Sequence, residues 1–149
     1  MSAPAGDKPS RGAVLLDTCA VVWLASGADM ARAALAAIVS AGLADGVFVS
    51  PVSAWEVGLL GRPSQPRPVL FLPDPKTWFA RVMAGPGIRP APCTPEVAIG
   101  ASYLPGELHG DPADRLIIAT ARHLGVPIVT RDTKIRAYAA AGHVEVIPC

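Results

Sequence analysis

Short runs of consecutive apolar residues alternate along the chain with longer stretches of helical periodicity. The apolar runs at residues 13–16, 47–49 and 127–129 each precede a segment with a helical pattern. Such runs are typical of strands buried on both faces of a parallel sheet, and residues 143–147 form a last predicted strand. Helices are predicted over residues 19–24, 51–60 and 132–140. This order of elements predicts an α/β fold with a central parallel sheet and helices packed on its faces.

Four helix starts share one device, a capping side chain directly followed by proline at the first helical position. Gly61 and Gly125 stand where helices are expected to end, and residues 105–106 (Pro-Gly) are predicted to end the helix that begins at Pro95. The four capping residues are Ser50, Asp74, Thr94 and Asp111.

Four prolines between residues 61 and 73 predict a surface excursion with one short edge strand.

Composition narrows the class of protein without naming a partner. The 149 residues suit one domain, and 51% hydrophobic residues exclude general disorder. Residues 1–12 are rich in Pro, Gly, Ser and charge, so we expect a flexible leader before a domain at 13–149. The net charge of +1 is far from that of a dedicated nucleic-acid coat. The longest uncharged apolar stretch, 33–44, is too short to span a membrane, and we expect a cytoplasmic protein.

Familiar catalytic and binding motifs are missing from the sequence. The three cysteines, Cys19, Cys93 and Cys149, are far apart and predict neither a disulfide framework nor a zinc knuckle. No G-x-S-x-G elbow and no glycine-rich phosphate loop follows any predicted strand. We assign no histidine to catalysis. The three tryptophans lie on helical patterns with apolar neighbours, where core or interface anchoring is a better explanation than base stacking.

Four carboxylates interrupt apolar sequence near the ends of the predicted strands. They are Asp17, Glu56, Asp114 and Asp132. In an open parallel sheet, strand ends and the following helix starts gather along one edge, where ligands bind. Several carboxylates that converge there repel one another unless divalent cations lie among them, and hard oxygen ligands select Mg²⁺ or Mn²⁺. Such a cluster suits phosphoryl chemistry, in which a metal activates water.

Helix capping also explains most of these acids when each is taken alone. Asp17 and Asp132 could cap the helices that follow them, and Asp114 would stabilise a helix dipole three residues after the cap at Asp111. For Asp111 itself, capping is the better explanation. Glu56 lies past the capping positions, which favours a functional role.

Four segments in order resemble the PIN-domain ribonucleases, and within them the VapC toxins of bacterial toxin–antitoxin pairs. The resemblance spans residues 13–148. It rests on LLDTCA at 15–20, VSPVSAWE at 49–56, HGDPADR at 109–115 and VTRD at 129–132. Relatives often carry His where this chain has Cys19, and the leader and proline-rich segment also depart from the pattern.

The resemblance implies a Mg²⁺-dependent endoribonuclease whose fold is an α/β/α sandwich with a central parallel sheet, PIN-like and Rossmann-like. In it, Asp17, Glu56, Asp114 and Asp132 match an acidic quartet that is catalytic and binds metal. Mn²⁺ is a possible substitute for Mg²⁺. Hydrolysis would leave a 5′-phosphate and a 3′-hydroxyl. The resemblance also implies an RNA substrate, a homodimer and a VapB-type antitoxin whose C-terminal segment enters the acidic groove. Supporting positions are Thr18, Thr130, Asp111 and Arg115.

Other functions stay open at this point. A non-catalytic interaction module with the PIN fold would be marked by broken acids, and none is broken here. The same quartet could serve a DNA-directed metal nuclease or a phosphatase. Arg115 and Arg131 adjoin the acids in sequence, and either phosphate binding or pairing with carboxylates would explain them.

Overall fold

Five short parallel strands form the centre of the molecule. The computed structural model describes residues 12–108 and 110–149, so the predicted leader up to residue 11 and His109 of the HGDPADR segment lie outside the described residues. The strand order is β3-β2-β1-β4-β5, and each neighbouring pair is parallel. The strands are β1 (Val14–Leu16), β2 (Val47–Val49), β3 (Ile88–Pro90), β4 (Ile128–Thr130) and β5 (Val146–Pro148).

Seven helices of the described residues flank this sheet on both faces, which confirms the predicted α/β/α sandwich. Alternate residues of β1 enter different cores: Leu15 joins one buried cluster, while Val14 and Leu16 join the other. Burial on both faces explains why β1 reads as an uninterrupted apolar run. The helices are α1 (Thr18–Ser26), α2 (Arg32–Gly42), α3 (Pro51–Leu60), α4 (Pro75–Met83), α5 (Pro95–Ser102), α6 (Pro112–Leu124) and α7 (Thr133–Ala140).

The two cores use different helices. Ile117 and Ile118 of α6 pack with Ile135 of α7 in the cluster that contains Leu15. In the other cluster, Val21 of α1 and Ile38 of α2 pack with the remaining residues of β1. The sheet is thus covered on both faces, and its strand ends are left as the place where polar side chains can meet.

The capping prediction is confirmed at all four helix starts. The side chains of Ser50, Asp74, Thr94 and Asp111 each accept a hydrogen bond from a backbone N–H in the first turn of α3, α4, α5 and α6. Gly125 ends α6 in the left-handed conformation (φ 68°) that glycine adopts without steric cost. Gly61 follows α3 with an ordinary right-handed backbone (φ −88°).

The predicted edge strand between residues 61 and 73 is wrong. That segment contains no strand, and the edge strand beside β2 is instead β3. The prolines remove backbone donors that a strand would need. Arg89 and Pro90 of β3 are exposed, so the true edge strand has no apolar run to reveal it.

Several predicted boundaries shift by one to three residues. The helix that begins at Pro95 ends at Ser102, before the expected Pro-Gly pair at 105–106, because a residue preceding proline disfavours helical geometry. The last strand covers Val146–Pro148 instead of 143–147. Within the described part of the chain, no helix is long and apolar enough to cross a membrane.

Candidate functional site

Asp17 lies where β1 ends and α1 begins, and both of its carboxylate oxygens are engaged. Its Oδ1 accepts a hydrogen bond of 2.8 Å from the backbone N–H of Ala20, which makes Asp17 the N-cap of α1. Its Oδ2 accepts from the hydroxyl of Thr130, at the end of the neighbouring strand β4. Asp17 is only 7% exposed. The carboxylate is therefore held from two directions with little access to water.

Asp132 contacts the same hydroxyl group, that of Thr130. The backbone N–H of Asp132 donates to Thr130 Oγ1 at 3.0 Å, while its carboxylate caps α7 by accepting from the N–H groups of Lys134 and Ile135. Thr130 is fully buried. A single hydroxyl at the end of β4 thus fixes the relative positions of two acids that follow neighbouring strands.

Glu56 approaches from α3 and is bound to the start of α1. Thr18 Oγ1 lies 2.6 Å from Glu56 Oε1 and 3.0 Å from Ser53 Oγ. Thr18 directly follows Asp17, so this contact connects the carboxylate of α3 to the helix that Asp17 caps. Ser53 lies within the VSPVSAWE segment but is not among the predicted site residues, because a serine in an apolar helix carries no functional signal of its own.

The two acids of α6 complete the group. Asp111 caps α6 by accepting from the N–H of Asp114 at 3.0 Å. Asp114, in the first turn, is partly buried, whereas Asp111 is exposed. Both raise the pKa of Glu56 through their charge, and Asp114 also raises that of Asp17. Asp111 therefore caps α6 and also lies near other acids, so the capping explanation and the functional explanation are compatible.

The electrostatics of the site are those of crowded, poorly solvated carboxylates. Burial is the largest influence on the pKa of Asp17 and raises it. The hydrogen bonds from Thr130 and Ala20 lower this pKa, and the charges of Asp132 and Asp114 raise it. Burial likewise raises the pKa of Glu56. The hydrogen bond from Thr18 lowers it, and the charges of neighbouring acids raise it further. These shifts show that the carboxylates lie within Coulomb range of one another.

The thiol of Cys19 is subject to the negative charge of the same acids. Desolvation and then the charges of the four acids raise the pKa of its thiol to about 11; the acids are Asp17, Glu56, Asp132 and Asp114. The thiol is therefore neutral at physiological pH and a poor nucleophile. All four predicted acids act on this one side chain, which places them around one region at the carboxyl edge of the sheet.

Comparison with known proteins identifies the family. The PIN domain family model matches residues 14–141. Ribonuclease VapC22 of Mycobacterium tuberculosis is 35% identical over 125 residues, which cover 84% of this chain and 91% of that protein. This chain belongs to the PIN-domain family. The resemblance seen in the sequence is thereby confirmed.

Solved structures agree with the PIN fold. A crystal structure of VapBC2 from Rickettsia felis bound to a promoter DNA fragment superposes with a TM-score of 0.65 at 10% identity, covering 91% of this chain and 98% of that one. VapBC-5 from Mycobacterium tuberculosis, a member of a toxin–antitoxin family, gives a TM-score of 0.56 at 18% identity, covering 93% and 99% of the two chains. At these identities the likeness concerns the fold.

The two arginines that adjoin the acids in sequence, Arg115 and Arg131, donate hydrogen bonds to backbone carbonyls. Arg115 Nε donates to the carbonyl of Ala101 at 2.9 Å and so braces α5 against α6. Arg131 donates to the carbonyls of Asp29 and Cys149 and stacks 3.8 Å above the ring of Trp23. These bonds go to main-chain oxygens, which neither of the two sequence explanations anticipated.

The tryptophans of the domain differ in their surroundings. Trp78 packs against Phe71, with ring centroids 4.7 Å apart, and Trp23 lies under Arg131. Trp55, beside Glu56, is 56% exposed. Trp78 and Trp23 are therefore anchored by packing, as predicted. The exposure of Trp55 excludes a core position, so interface anchoring stays a prediction for this residue.

The donor chemistry of the acidic edge suits a hard divalent cation. Every predicted ligand is a carboxylate, and the carboxylate neighbours of Asp17 raise its pKa, a repulsion that a cation would relieve. Among residues 12–108 and 110–149, no three His, Cys, Asp or Glu side chains already converge closely enough to hold a metal ion. The edge therefore offers suitable oxygen donors that must still draw together around an ion.

Proposed function

We propose that this PIN domain is a divalent-metal-dependent endoribonuclease and the toxin of a bacterial toxin–antitoxin pair. The observation that carries the proposal is the hydrogen bonding at the carboxyl edge of the sheet: Thr130 donates to Asp17 and accepts from the backbone N–H of Asp132, and Thr18, next to Asp17, donates to Glu56. Asp114 adds its charge to the same acids, since it raises the pKa of both Asp17 and Glu56. The relation to Ribonuclease VapC22 supports RNA as the substrate. The acids that the catalytic reading requires are all intact, which disfavours a non-catalytic module.

Asp17, Asp114 and Asp132 are the residues that would hold one or two Mg²⁺ ions, with Mn²⁺ as a substitute. Glu56 either joins them or orients the attacking water. A bound metal would supply Lewis acidity that lowers the pKa of a water and offsets the negative charge of the phosphate. Hydrolysis of the phosphodiester would leave a 5′-phosphate and a 3′-hydroxyl.

The protein's own contribution is to keep carboxylates together that would otherwise repel. Thr130 donates to Asp17 and accepts from the backbone N–H of Asp132, so one hydroxyl connects the ends of β1 and β4. Asp17 and Asp132 also cap helices, whose N-terminal N–H groups and dipoles favour negative charge. These contacts lower the free energy of the ionised cluster before any ion binds.

Arginine is the basic residue through which this chain would contact the RNA backbone. Ten of its thirteen basic residues are Arg, whose planar guanidinium binds phosphate oxygens in pairs. The small net charge of +1 means that such contacts must be local. Looped or single-stranded RNA is the substrate form that we propose, because its bases are accessible to side chains.

A VapB-type antitoxin and a second copy of the chain are the proposed protein partners. Structures with this fold include toxin–antitoxin complexes. The described surface also carries large exposed apolar side chains, which a partner would cover. Examples are Leu43 at 86%, Leu70 at 79% and Tyr103 at 82% exposure.

The experiment that tests this proposal compares nucleic-acid substrates directly. Antitoxin-free protein is incubated with a pool of structured RNA and with DNA of the same sequences, with Mg²⁺, with Mn²⁺ and with EDTA. We expect RNA cleavage that EDTA abolishes and products with 5′-phosphates. Cleavage of DNA in preference to RNA would establish a DNA-directed nuclease. Folded protein that cuts neither substrate with either metal would favour an interaction module.

A further inference from the structure

A buried serine outside the acidic cluster is connected to it through one hydroxyl. Ser53 Oγ lies 3.0 Å from Thr18 Oγ1, which lies 2.6 Å from Glu56 Oε1. Ser53 is fully buried and Thr18 is only 7% exposed. Water therefore has little opportunity to replace either hydroxyl as a hydrogen-bond partner.

The number of hydroxyl protons sets the direction of the hydrogen bonds among Ser53, Thr18 and Glu56. Thr18 has one O–H and can donate it to only one of its two neighbours. An ionised Glu56 carboxylate can only accept, so the short contact requires Thr18 to donate to Glu56. The remaining contact is then satisfied when Ser53 donates its O–H to a lone pair of Thr18. The order is Ser53 to Thr18 to Glu56.

The connection spans two helices. Ser53 and Glu56 are three residues apart on α3, so they lie on the same face of that helix, and Thr18 is the first residue of α1. Thr18 directly follows Asp17, which caps α1. Ser53 thereby restrains the hydroxyl that holds Glu56 beside Asp17.

We propose that Ser53 is a positioning residue that acts on Glu56 through Thr18. The proposal rests on the proposed function, because the orientation of Glu56 matters for metal binding or for the attacking water. Without the Ser53 hydroxyl, Thr18 loses the donor that fixes its rotamer, and Glu56 samples other orientations. Loss of a group that orients a metal-binding side chain lowers metal affinity or activity by about 10-fold to 100-fold.

The test uses Ser53→Ala, Ser53→Thr, Thr18→Val and the double variant Ser53→Ala/Thr18→Val. The matched control is Ser50→Ala on the same helix, which removes the fully buried cap of α3 without touching Thr18. Three quantities are measured: the rate of RNA cleavage, the Mn²⁺ dissociation constant from electron paramagnetic resonance of free Mn²⁺, and thermal unfolding.

We expect Ser53→Ala to lower the cleavage rate or the Mn²⁺ affinity by about 10-fold, and Ser53→Thr to restore most of the loss. In the Thr18→Val background, the Ser53→Ala change should have no further effect, because its action passes through Thr18. Ser50→Ala should lower the unfolding temperature while it leaves cleavage and Mn²⁺ binding unchanged.

Two results would overturn the role of Ser53. One is a folded Ser53→Ala variant with wild-type cleavage and wild-type Mn²⁺ affinity; the other is an effect of equal size with and without the Thr18 hydroxyl. A wild-type protein that binds Mn²⁺ but cleaves no RNA refutes the proposed function alone, and the Mn²⁺ affinities then decide the role of Ser53. A wild-type protein that does neither refutes both proposals.

Discussion

At the scale of single residues, the pKa of Asp17 is set by opposing effects. Burial and the neighbouring acids favour its neutral form, while the bonds from Thr130 and Ala20 favour its charged form. Burial and neighbouring charge prevail, so the pKa of Asp17 is raised above its ordinary value of 3.8. The molecule thus keeps a carboxylate where its ionisation costs stability, which is expected of a residue retained for function.

Replacing Asp17 by Asn should therefore stabilise the fold at neutral pH while it abolishes cleavage. A raised folded pKa means that stability falls as pH rises from 3.8 through the folded pKa, because the folded state binds the proton more tightly than the unfolded state. The advantage of the variant should disappear below pH 3.8. Urea unfolding at neutral and acid pH measures it, and a variant less stable than wild type at pH 7 would contradict the sign.

Thr130 should matter through its hydroxyl alone. Thr130→Val keeps the shape of the side chain but leaves Asp17 Oδ2 without its donor and the N–H of Asp132 without its acceptor. We expect a loss of about 1–3 kcal/mol in unfolding free energy and about 10-fold or more in cleavage rate. Thr130→Ser should retain most of both. Equal cleavage by the Val and Ser variants would rule out the proposed role.

At the scale of helices and strands, caps serve two purposes in this fold. The helices α1, α6 and α7 begin with acids that satisfy orphan N–H groups, and the charge of each raises the pKa of another acid of the site. Favourable helix dipoles offset part of the repulsion between these acids. Assembly of the site and initiation of the helices therefore depend on the same side chains.

Asp111 is the acid for which capping should dominate. Asp111→Ala should cost about 1 kcal/mol of unfolding free energy, because it removes the acceptor for the N–H of Asp114. Asp111→Asn retains a good cap and should retain both stability and RNA cleavage. Denaturant titration and cleavage assays check this prediction. A fall in cleavage in Asp111→Asn as large as that in Asp114→Asn would assign Asp111 to the catalytic group instead.

The sequence predicts those elements whose signals are local. Apolar runs reveal β1 and β2 because both faces of each are covered, and the cap-proline pairs mark the four helix starts at Ser50, Asp74, Thr94 and Asp111. The edge strand β3 escapes prediction because its exposed Arg89 and Pro90 have no core to face. Its place in the sheet is decided by pairing with β2, a long-range contact that no local pattern records.

At the scale of the whole molecule, parallel topology brings distant residues to one edge. Asp17 and Thr130 are separated by 113 positions yet share a hydrogen bond, because β1 and β4 are neighbours that end at the same edge. This rule is why the acids could be grouped from sequence. The contacts of Thr18 with Ser53 could not, since they depend on how α1 packs against α3.

Divalent metal should stabilise the whole fold through this edge. A ligand that binds only the folded state adds about 1.4 kcal/mol to the unfolding free energy at ten times its dissociation constant. We therefore expect Mn²⁺ to raise the unfolding temperature of the wild type and to leave that of Asp17→Asn nearly unchanged. Differential scanning fluorimetry with and without Mn²⁺ measures the shift. An equal shift in both proteins would place the binding elsewhere.

The most direct test is the Mg²⁺-dependent rate of RNA cleavage in a series of carboxylate-to-amide variants. Asp74→Asn is the matched control, since Asp74 caps α4, is fully exposed and Asn also caps well. The account predicts that every variant of the quartet loses about 100-fold or more of the rate while Asp74→Asn keeps it. Wild-type rates throughout the folded quartet variants would contradict it. The quartet variants are Asp17→Asn, Glu56→Gln, Asp114→Asn and Asp132→Asn.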